Sequence, residues 1–373
     1  MIPLSEPLFE GNEWKYLKAC LDSGWISAAG PLTSQLEERF SHLLKTEGMV
    51  ALASGTAALH LALKASHVQE GDLVLVSDYS FIASANVIRY CGADPIFMET
   101  HPETWQADPL ALSNWLDRHA SRQDNTCYHL ESGRKIAAMI VVHAYGFPAD
   151  VIAFADISNT WNIPWIEDAA GAIGSKIHDQ EVGTFAPFGA YSLNGNKILT
   201  AGGGGLLACK SKHDETYIRH ISRQAKTEGA HYIHDEAGYN YRLPDIMAAV
   251  ALAQSERLEA FLSRKKEIAL QYRHSLPHLH WQKHGPESAP NYWMLAFRTP
   301  QKTRILHHLI EHGIQAKEGW YPLHLQPPYR GSLFAGNPAN TIDIYNQVVC
   351  LPSSVGLKAE ELEQVISAIK EIE

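Results

Sequence analysis

The apolar positions of residues 1–210 form short continuous runs that alternate with helix-periodic segments. Runs of this kind predict buried strands, and they lie at 49–54, 72–77, 95–99, 136–143 and 164–168. A helical pattern follows the first run, where Leu59, Ala62, Leu63 and Ser66 share one face. Continuous apolar strands separated by helices indicate a mostly parallel sheet covered on both faces, so the sequence predicts an α/β fold.

The pattern changes at Asp245. From there to Leu276 the sequence lacks Gly and Pro, and its apolar residues recur at helical spacing. This predicts a helix of about 32 residues, or about 48 Å, that ends at Pro277. A smaller α/β pattern follows, with strands at 292–298 and 348–352 and helices at 303–313 and 358–372. We therefore predict a large domain, 1–245, and a second segment, 246–373, formed by the connecting helix and a small C-terminal domain. Residues 326–340 have the composition of a loop.

Composition excludes several classes of protein. The chain has 373 residues, of which 45% are apolar and 19% charged, as expected for a globular protein with a large core. The net charge of -10 and the lack of a long basic run argue against a nucleic-acid partner. The N-terminus does not resemble a signal peptide, and no apolar run reaches the length of a membrane span. Five widely spaced cysteines without a CxxC motif favour a reducing cytoplasm over a disulfide framework.

The 20 histidines raise the question of a metal site. His308 and His312 are four residues apart on a predicted helix, and His278 and His280 form an HxH pair. HExxH is absent, and neither pair has a third ligand at motif spacing. We interpret both pairs as surface histidines and expect the functional site to contain no metal.

The segment "ASGTAAL" predicts an anion site, because a strand runs through Ser54, Gly55 and Thr56 directly into a helix. The first amides of a helix have no intrahelical partners and favour an anion. Gly55 allows close approach to the backbone, and Thr56 adds a hydroxyl group. An ordinary N-cap by Ser54 or Thr56 is the alternative. The segment matches neither a Walker A motif nor GxGxxG, so a nucleotide cradle is not indicated.

Two further residues carry candidate chemistry. Asp168 ends a predicted strand, at the sheet edge where parallel α/β folds bind ligands. There it can hold a cationic ring nitrogen, or it can instead cap a helix beginning at Ala169. Lys197 is the only charged residue between Glu181 and Lys210. Apolar surroundings disfavour the ammonium form and leave an amine that can form a Schiff base with an aldehyde. The alternative is a lysine that extends its amine to solvent.

Taken together, an anion site, a strand-end carboxylate and a sequestered lysine are what pyridoxal phosphate requires. The sequence also resembles the fold-type I, pyridoxal phosphate-dependent nucleotide-sugar aminotransferases of the DegT/DnrJ/StrS type over almost its whole length. The segments that carry this resemblance include "SGTAALHLAL", "IEDAAGAIGS", "FGAYSLNGNKILTAGGGG", "GYNYRLPDIMAA" and "YPLHLQPPY". The fullest likeness is to enzymes that aminate C4 of a UDP-linked 4-keto-6-deoxy-N-acetylglucosamine, through "GNEWKYLKACLDSGWIS" and "YSLNGNKI". The alternatives are a GDP- or dTDP-linked keto sugar, or amination at C3.

The resemblance implies a role for each matching residue. Lys197 would bind the cofactor covalently and shuttle protons, and Asp168 would pair with the pyridine nitrogen. The other implied cofactor contacts are phosphate ligands and a stacking ring, at Gly55, Thr56, Ser192 and Phe81. Asn240 would reach the phosphate from a second subunit, which implies a homodimer with shared active sites. The implied amino donor is L-glutamate, and the positions expected around the sugar nucleotide are Trp25, Ser27, Arg242, His324 and Gln326.

One position departs from the family pattern. Gly171 stands where these enzymes usually carry Gln, Glu or His beside the cofactor ring. Another side chain or a water fills the space, or the pocket admits a differently shaped substrate. A cofactor-binding protein without turnover is a second hypothesis. A dinucleotide-dependent oxidoreductase is a third, but Gly202–Gly205 precede a predicted strand and not the helix that this class requires. A related branch with His in place of the lysine is disfavoured because Lys197 is present.

Overall fold

The computed structural model of the protein describes residues 1–229 and 231–372. The helices in these residues are α1 Glu13–Ser23, α2 Pro31–Leu44, α3 Gly55–Ala65, α4 Ala83–Tyr90, α5 Pro109–His119, α6 Val151–Trp161, α7 Lys212–Ile221, α8 Asp245–Glu256, α9 Leu258–Ser275, α10 Lys302–Glu311, α11 Ala339–Gln347 and α12 Ala359–Lys370. None of these helices has the length and apolar character needed to cross a membrane.

The strands in the same residues are β1 Gly48–Leu52, β2 Leu73–Ser77, β3 Asp94–Met98, β4 Ala120–Gln123, β5 Thr126–His129, β6 Ile136–Val142, β7 Trp165–Asp168, β8 Lys176–Ile177, β9 Gln180–Glu181, β10 Phe188–Ser192, β11 Gly205–Cys209, β12 His280–Trp281, β13 Ser288–Ala289, β14 Leu295–Arg298, β15 Lys317–Glu318, β16 Leu333–Ala335 and β17 Val348–Leu351. The five strands predicted in the first half of the chain correspond to β1, β2, β3, β6 and β7, which confirms those predictions.

A large mixed sheet forms the centre of the molecule, in the order β1-β11-β10-β7-β6-β2-β3-β16. Only β11 runs against its neighbours among the described strands, since the pairs from β10 to β16 are parallel and β1 is antiparallel to β11. Parallel strands joined through helices have their carboxyl ends at the same edge of the sheet. The ends of β1, β7 and β10 therefore meet there, and the predicted α/β class is confirmed.

The strands β1, β2, β6 and β11 of this sheet are buried along their whole length, which is why their sequences are almost continuously apolar. In β1, Val50 and Leu52 pack with α3 and α7 on one side, while Met49 and Ala51 face the opposite core. The α3 residues below the sheet are almost completely buried. The result is a rigid layer whose loops at one edge are available for chemistry.

The predicted single helix over 245–276 is wrong in one respect. It divides into α8 and α9 at Arg257, whose backbone lies outside the helical region at φ -105° and ψ 4°. The Arg257 amide bonds to the Gln254 carbonyl, an i−3 contact in place of the helical i−4 contact. Helix α9 then packs against α12, and its Tyr272 contacts Trp281 on β12 of the smaller sheet, which has the order β12-β14-β17-β15.

The predicted loop at 326–340 contains an unexpected strand. Leu333–Ala335 forms β16 and pairs in parallel with Ile96–Met98 at the edge of the large sheet. The N-terminus also contacts the C-terminal part of the chain, because Ile2 forms a parallel β-bridge with Ile314. The division at 245/246 stays a prediction, and the large sheet takes one of its strands from beyond it.

Candidate active site

A cavity of about 790 Å³ lies at the carboxyl ends of the large sheet, against the smaller sheet. Its lining includes the predicted cofactor-site residues Gly55, Thr56, Phe81, Asp168, Ser192 and Lys197. These side chains come from segments far apart in the sequence, and the sheet topology brings them together. Phe81 is 62% exposed and stands at the mouth of the cavity.

The anion end of the cavity is the start of α3. The Ser54 hydroxyl caps the helix by accepting from the Ala57 amide at 3.0 Å, so the alternative capping interpretation is confirmed for Ser54. A Cβ at Gly55 would lie 3.0 Å from the Ser192 Cβ, and one at Gly205 would lie 2.5 Å from the Gly55 nitrogen. This close packing sets the Ser192 hydroxyl beside the free helix end, an arrangement suited to a phosphate.

Asp168 lies at the end of β7, between β6 and β10. It is only 5% exposed. Its Oδ2 accepts a hydrogen bond from the Ser84 hydroxyl at 2.7 Å, and its Oδ1 accepts one from the Ala170 amide at 3.1 Å. The segment after it is a turn, so Asp168 does not cap a helix.

Glu167 supports Asp168 from within the sheet. This carboxylate is fully buried, and its partners are the amides of Gly183 (2.6 Å), Phe185 (2.7 Å) and Ala186 (2.7 Å) and His143 Nε2 (3.1 Å). Breaking such a buried charged network costs about 3–5 kcal/mol. The adjacent Asp168 is therefore held on a strand end that has little freedom to move.

Lys197 lies in the turn after β10 and reaches the cavity. Its Nζ is 3.4 Å from the centroid of the Trp293 ring, so the amine does not extend to bulk solvent. Burial lowers the pKa of Lys197 to about 7, and the negative charge of Asp168 acts in the opposite direction. A substantial fraction of the amine is therefore neutral near pH 7, which is the form that acts as nucleophile or base.

The side chain of Trp293 occupies the space that a side chain at residue 171 would need. A Cβ built at Gly171 would lie 2.1 Å from Cε3 of Trp293, so the indole already occupies the space that a side chain would enter. The predicted strand over 292–298 begins only at Leu295. Tyr292 before it has a positive φ of 54°, and the Trp293 ring that follows lines the cavity.

The predicted substrate residues lie outside the cavity within the described chain. Arg242 forms an ion pair with Glu37 at 2.9 Å; burial lowers the pKa of Arg242, and the Glu37 carboxylate acts in the opposite direction. His324 Nδ1 is 2.7 Å from Asp78. The remaining predicted substrate contacts are partly or largely exposed and do not line the cavity in a single subunit, namely Trp25, Ser27 and Gln326. Asn240, predicted to reach the cofactor phosphate of a second subunit, is exposed and also does not line it. Their proposed roles stay predictions.

Several residues of the cavity carried no recognisable signal in the sequence. Ser84 contacts Asp168 from α4. Tyr145, Trp293 and Trp320 form an aromatic wall, with Trp320 centred 4.4 Å from Tyr145 and 6.4 Å from Trp293. Packing between segments far apart in the sequence places these rings, so no local pattern indicates them.

The histidine pairs lie away from this cavity. The ligand atoms of His308 on α10, His312 directly after α10 and Glu371 lie within 4.8 Å of one another. His280 lies 3.5 Å from Glu103. The cysteines at 20, 91, 127, 209 and 350 are unpaired in the described residues.

Known proteins place this site in context. The chain matches the DegT/DnrJ/EryC1/StrS aminotransferase family over residues 8–370. It is 34% identical to EpsN of Bacillus subtilis (strain 168), named as a pyridoxal phosphate-dependent aminotransferase, over 99% of this chain and 95% of that one. It is 33% identical to the GDP-perosamine synthase of Escherichia coli O157:H7, over 99% of this chain and 98% of that one. A DegT/DnrJ/EryC1/StrS aminotransferase structure from Brucella abortus has a TM-score of 0.89 at 24% identity, covering 97% of this chain and 95% of that one.

The fold and the site thus define an enzyme of the sugar aminotransferase class that depends on pyridoxal phosphate. Within that class, the chain belongs to the DegT/DnrJ/EryC1/StrS family. The residues present fit the cofactor. The α3 N-terminus and Ser192 form an anion cradle closely packed around Gly55, where a Cβ would lie 3.0 Å from the Ser192 Cβ. Asp168 supplies a buried carboxylate, and Lys197 supplies an amine of lowered pKa.

Proposed function

We propose that this enzyme moves the amino group of L-glutamate to C4 of a UDP-linked 4-keto-6-deoxy-N-acetylhexosamine, for surface glycan synthesis. The observation that carries the transaminase chemistry is the convergence of Lys197, Asp168 and the α3 N-terminus in one cavity. The choice of sugar rests on the resemblance of residues 11–27 and 191–198 to C4 aminotransferases. A GDP-linked 4-keto sugar is the second candidate, because a GDP-perosamine synthase matches 99% of the chain.

Pyridoxal phosphate, when bound, supplies an electron sink next to the carbon that loses its proton. The protein contributes position and proton transfer. The amides at the start of α3 and the Ser192 hydroxyl would hold the phosphate, and the Asp168 carboxylate would keep the ring nitrogen positive. Phe81 would cover one face of the ring.

Lys197 would bind the cofactor aldehyde and, once released, carry the proton. Its amine must be neutral to accept a proton from the amino-acid carbon and charged to return one to the sugar carbon. In the cofactor-free protein, the pKa of about 7 already makes both states accessible at neutral pH. Lys317 on β15 brings a second ammonium to the cavity, suited to the carboxylate of the donor or the diphosphate of the acceptor.

We also propose that the enzyme acts in the cytoplasm as a homodimer. Asn240 is exposed in a single subunit, as expected of a residue that completes a neighbouring site. Large apolar side chains are exposed at Phe9, Trp14, Trp25 and Tyr232. Such residues favour burial against a second subunit.

The proposal is tested with a panel of UDP-, GDP- and dTDP-linked 4-keto and 3-keto sugars, each incubated with L-glutamate. Mass spectrometry of the product identifies the sugar nucleotide, and NMR identifies the aminated carbon. We expect the UDP-linked 4-keto N-acetyl sugar to give the highest kcat/KM, with ping-pong kinetics. A preference for the GDP-linked sugar supports the second candidate, and the absence of glutamate turnover contradicts the proposal as a whole.

A further inference from the structure

Gly171 and Trp293 occupy one piece of the cavity wall. A Cβ at residue 171 would lie 2.1 Å from Cε3 and 2.6 Å from Cζ3 of the indole, distances at which the ring must move. Gly171 does not have a left-handed backbone, so its conformation alone would accept another residue. The neighbouring ring, and not the backbone, is what requires glycine here.

The indole is fixed from several directions. Its Nε1 donates to the Asn196 carbonyl at 2.7 Å. The Trp293 amide donates to Asn291 Oδ1 at 2.9 Å, and the Trp293 carbonyl accepts from Lys265 at 2.8 Å. Asn291 Nδ2 in turn donates to the Gly171 carbonyl at 2.9 Å. The Asn291 side chain therefore joins the backbones of residues 171 and 293, in addition to their packing.

Trp293 also touches Lys197 at two points. The Lys197 Nζ lies 3.4 Å from the ring centroid, and the carbonyl bonded by the indole belongs to the residue just before Lys197. We propose that Trp293 is a positioning residue for Lys197, and that its ring supplies the part of the cavity wall that a side chain at 171 would otherwise form. This inference rests on the proposed role of Lys197 as the reactive lysine.

The ring acts on the amine in two opposed ways. The negative face of an indole attracts an ammonium group, whereas its bulk keeps water away and disfavours the charged form. Burial dominates at Lys197, since the pKa of the amine is lowered to about 7. Replacing the ring by a small side chain admits water, so the ammonium form gains and the amine moves from its position.

The test compares the parent with Trp293→Ala, Gly171→Gln and the double variant. Reductive methylation of the cofactor-free proteins over a pH series, with mass spectrometry of the Lys197 peptide, gives the pH of half-labelling. We expect Trp293→Ala to raise that pH by about one unit or more. It should also slow the single-turnover reaction with L-glutamate by about 100-fold, with a smaller change in KM.

The double variant tests whether the Trp293 ring takes the place of a side chain at residue 171. Gly171→Gln alone should lower stability, because its side chain overlaps the indole. In the double variant the Gln side chain enters the vacated space, so we expect stability to return and the glutamate reaction to recover at least about tenfold over Trp293→Ala. Strictly independent effects of the two substitutions, or an unchanged pH of half-labelling in Trp293→Ala, overturn the proposal.

Trp281→Ala is the matched control. Trp281 is also a buried indole whose Nε1 donates to a backbone carbonyl, that of Leu276 at 3.1 Å, but it does not line the cavity. Its loss should lower stability and leave the Lys197 labelling pH unchanged.

Trp293→Phe serves if Trp293→Ala does not fold. It keeps a ring face and loses the bond to Asn196, so it should slow the reaction without moving the labelling pH. A Trp293→Phe protein with the parent's rate contradicts the positioning role.

Borohydride reduction of the loaded parent separates this inference from the proposed function. Cofactor fixed at Lys197 in the parent, together with unaltered labelling in Trp293→Ala, overturns only the role of Trp293. Cofactor fixed at another lysine overturns the proposed function as well.

Discussion

Two lysines contact Trp293, and their surroundings differ. Lys197 places its amine over the indole ring and lines the cavity. Lys265, on α9, donates to the Trp293 carbonyl at 2.8 Å, to the Ser353 hydroxyl at 2.9 Å and to the Ser353 carbonyl. Lys265 is only 2% exposed. Burial lowers the pKa of both amines to about 7.

The comparison shows that a lowered pKa does not by itself identify a reactive lysine. Lys265 has all its donors occupied by protein oxygens and lies outside the 790 Å³ cavity that the described residues form. Lys197 has a ring face, an open cavity and the charge of Asp168 instead. Access and unused donor capacity separate the chemical role from the structural one.

The largest expected effect concerns Lys197 itself. In Lys197→Ala, no amine remains to accept the proton, so we expect the single-turnover reaction with L-glutamate to slow by at least about 10⁴-fold. Stopped-flow absorbance of the bound cofactor measures this rate. Lys265→Met, the matched control, should stay within about tenfold of the parent. A Lys197→Ala protein that reacts at the parental rate would show that Lys197 is not the reactive lysine.

The pH dependence of labelling comes next. A pKa of about 7 means that the Lys197 amine is already half neutral near pH 7, whereas an ordinary lysine titrates near 10.4. We expect the cofactor-free protein to be modified at Lys197 about 10³-fold faster at pH 7 than an ordinary lysine, when reagent access is equal. Lys265 should remain unmodified until the protein unfolds. Mass spectrometry of the digest measures both, with the other lysine peptides as internal references.

The same depressed pKa has a consequence for stability. Between about pH 7 and the ordinary lysine value, the unfolded chain binds a proton at Lys197 that the folded chain does not. The free energy of unfolding of the cofactor-free protein should therefore rise with pH across this window. Lys197→Met should flatten part of that rise while the contribution of Lys265 persists, as urea denaturation at several pH values would show. An unaltered slope contradicts the assignment.

The smallest expected effect concerns Lys265. Lys265→Met removes the donor shared by the Trp293 carbonyl and two Ser353 oxygens and leaves them buried, which should lower the free energy of unfolding by about 2–4 kcal/mol. Urea denaturation measures the loss. Borohydride should still fix the cofactor at Lys197 in this variant. A Lys265→Met protein as stable as the parent would show that Lys265 does not have the structural role assigned to it.

Much of the large sheet could be predicted from the sequence, because buried parallel strands leave continuous apolar runs. The core of the site was also predictable. Gly55, Asp168 and Lys197 each follow a strand or precede a helix in a local pattern with a chemical meaning, and the topology brings strand ends together.

Residues whose roles depend on distant partners could not be predicted in this way. Arg242 and His324 carry suitable chemistry, but Glu37 and Asp78 engage them in the folded chain. The sequence pattern predicts Trp293 as part of a strand, but the positive φ of Tyr292 precedes it and the strand begins only at Leu295. The break in the long helix at Arg257 could not be predicted, because the sequence there contains no Gly or Pro.

The edge strand β16 bears on how the chain is made. Leu333 pairs with Ile96, 237 positions earlier (333 minus 96). A chain synthesised from its N-terminus therefore exposes the apolar edge of β3 until nearly the whole polypeptide has left the ribosome. Unpaired apolar edges recruit other strands, and incomplete intermediates of large proteins aggregate through them. Production of this enzyme should consequently depend on the rate of translation and on chaperones that shield the nascent β3 edge.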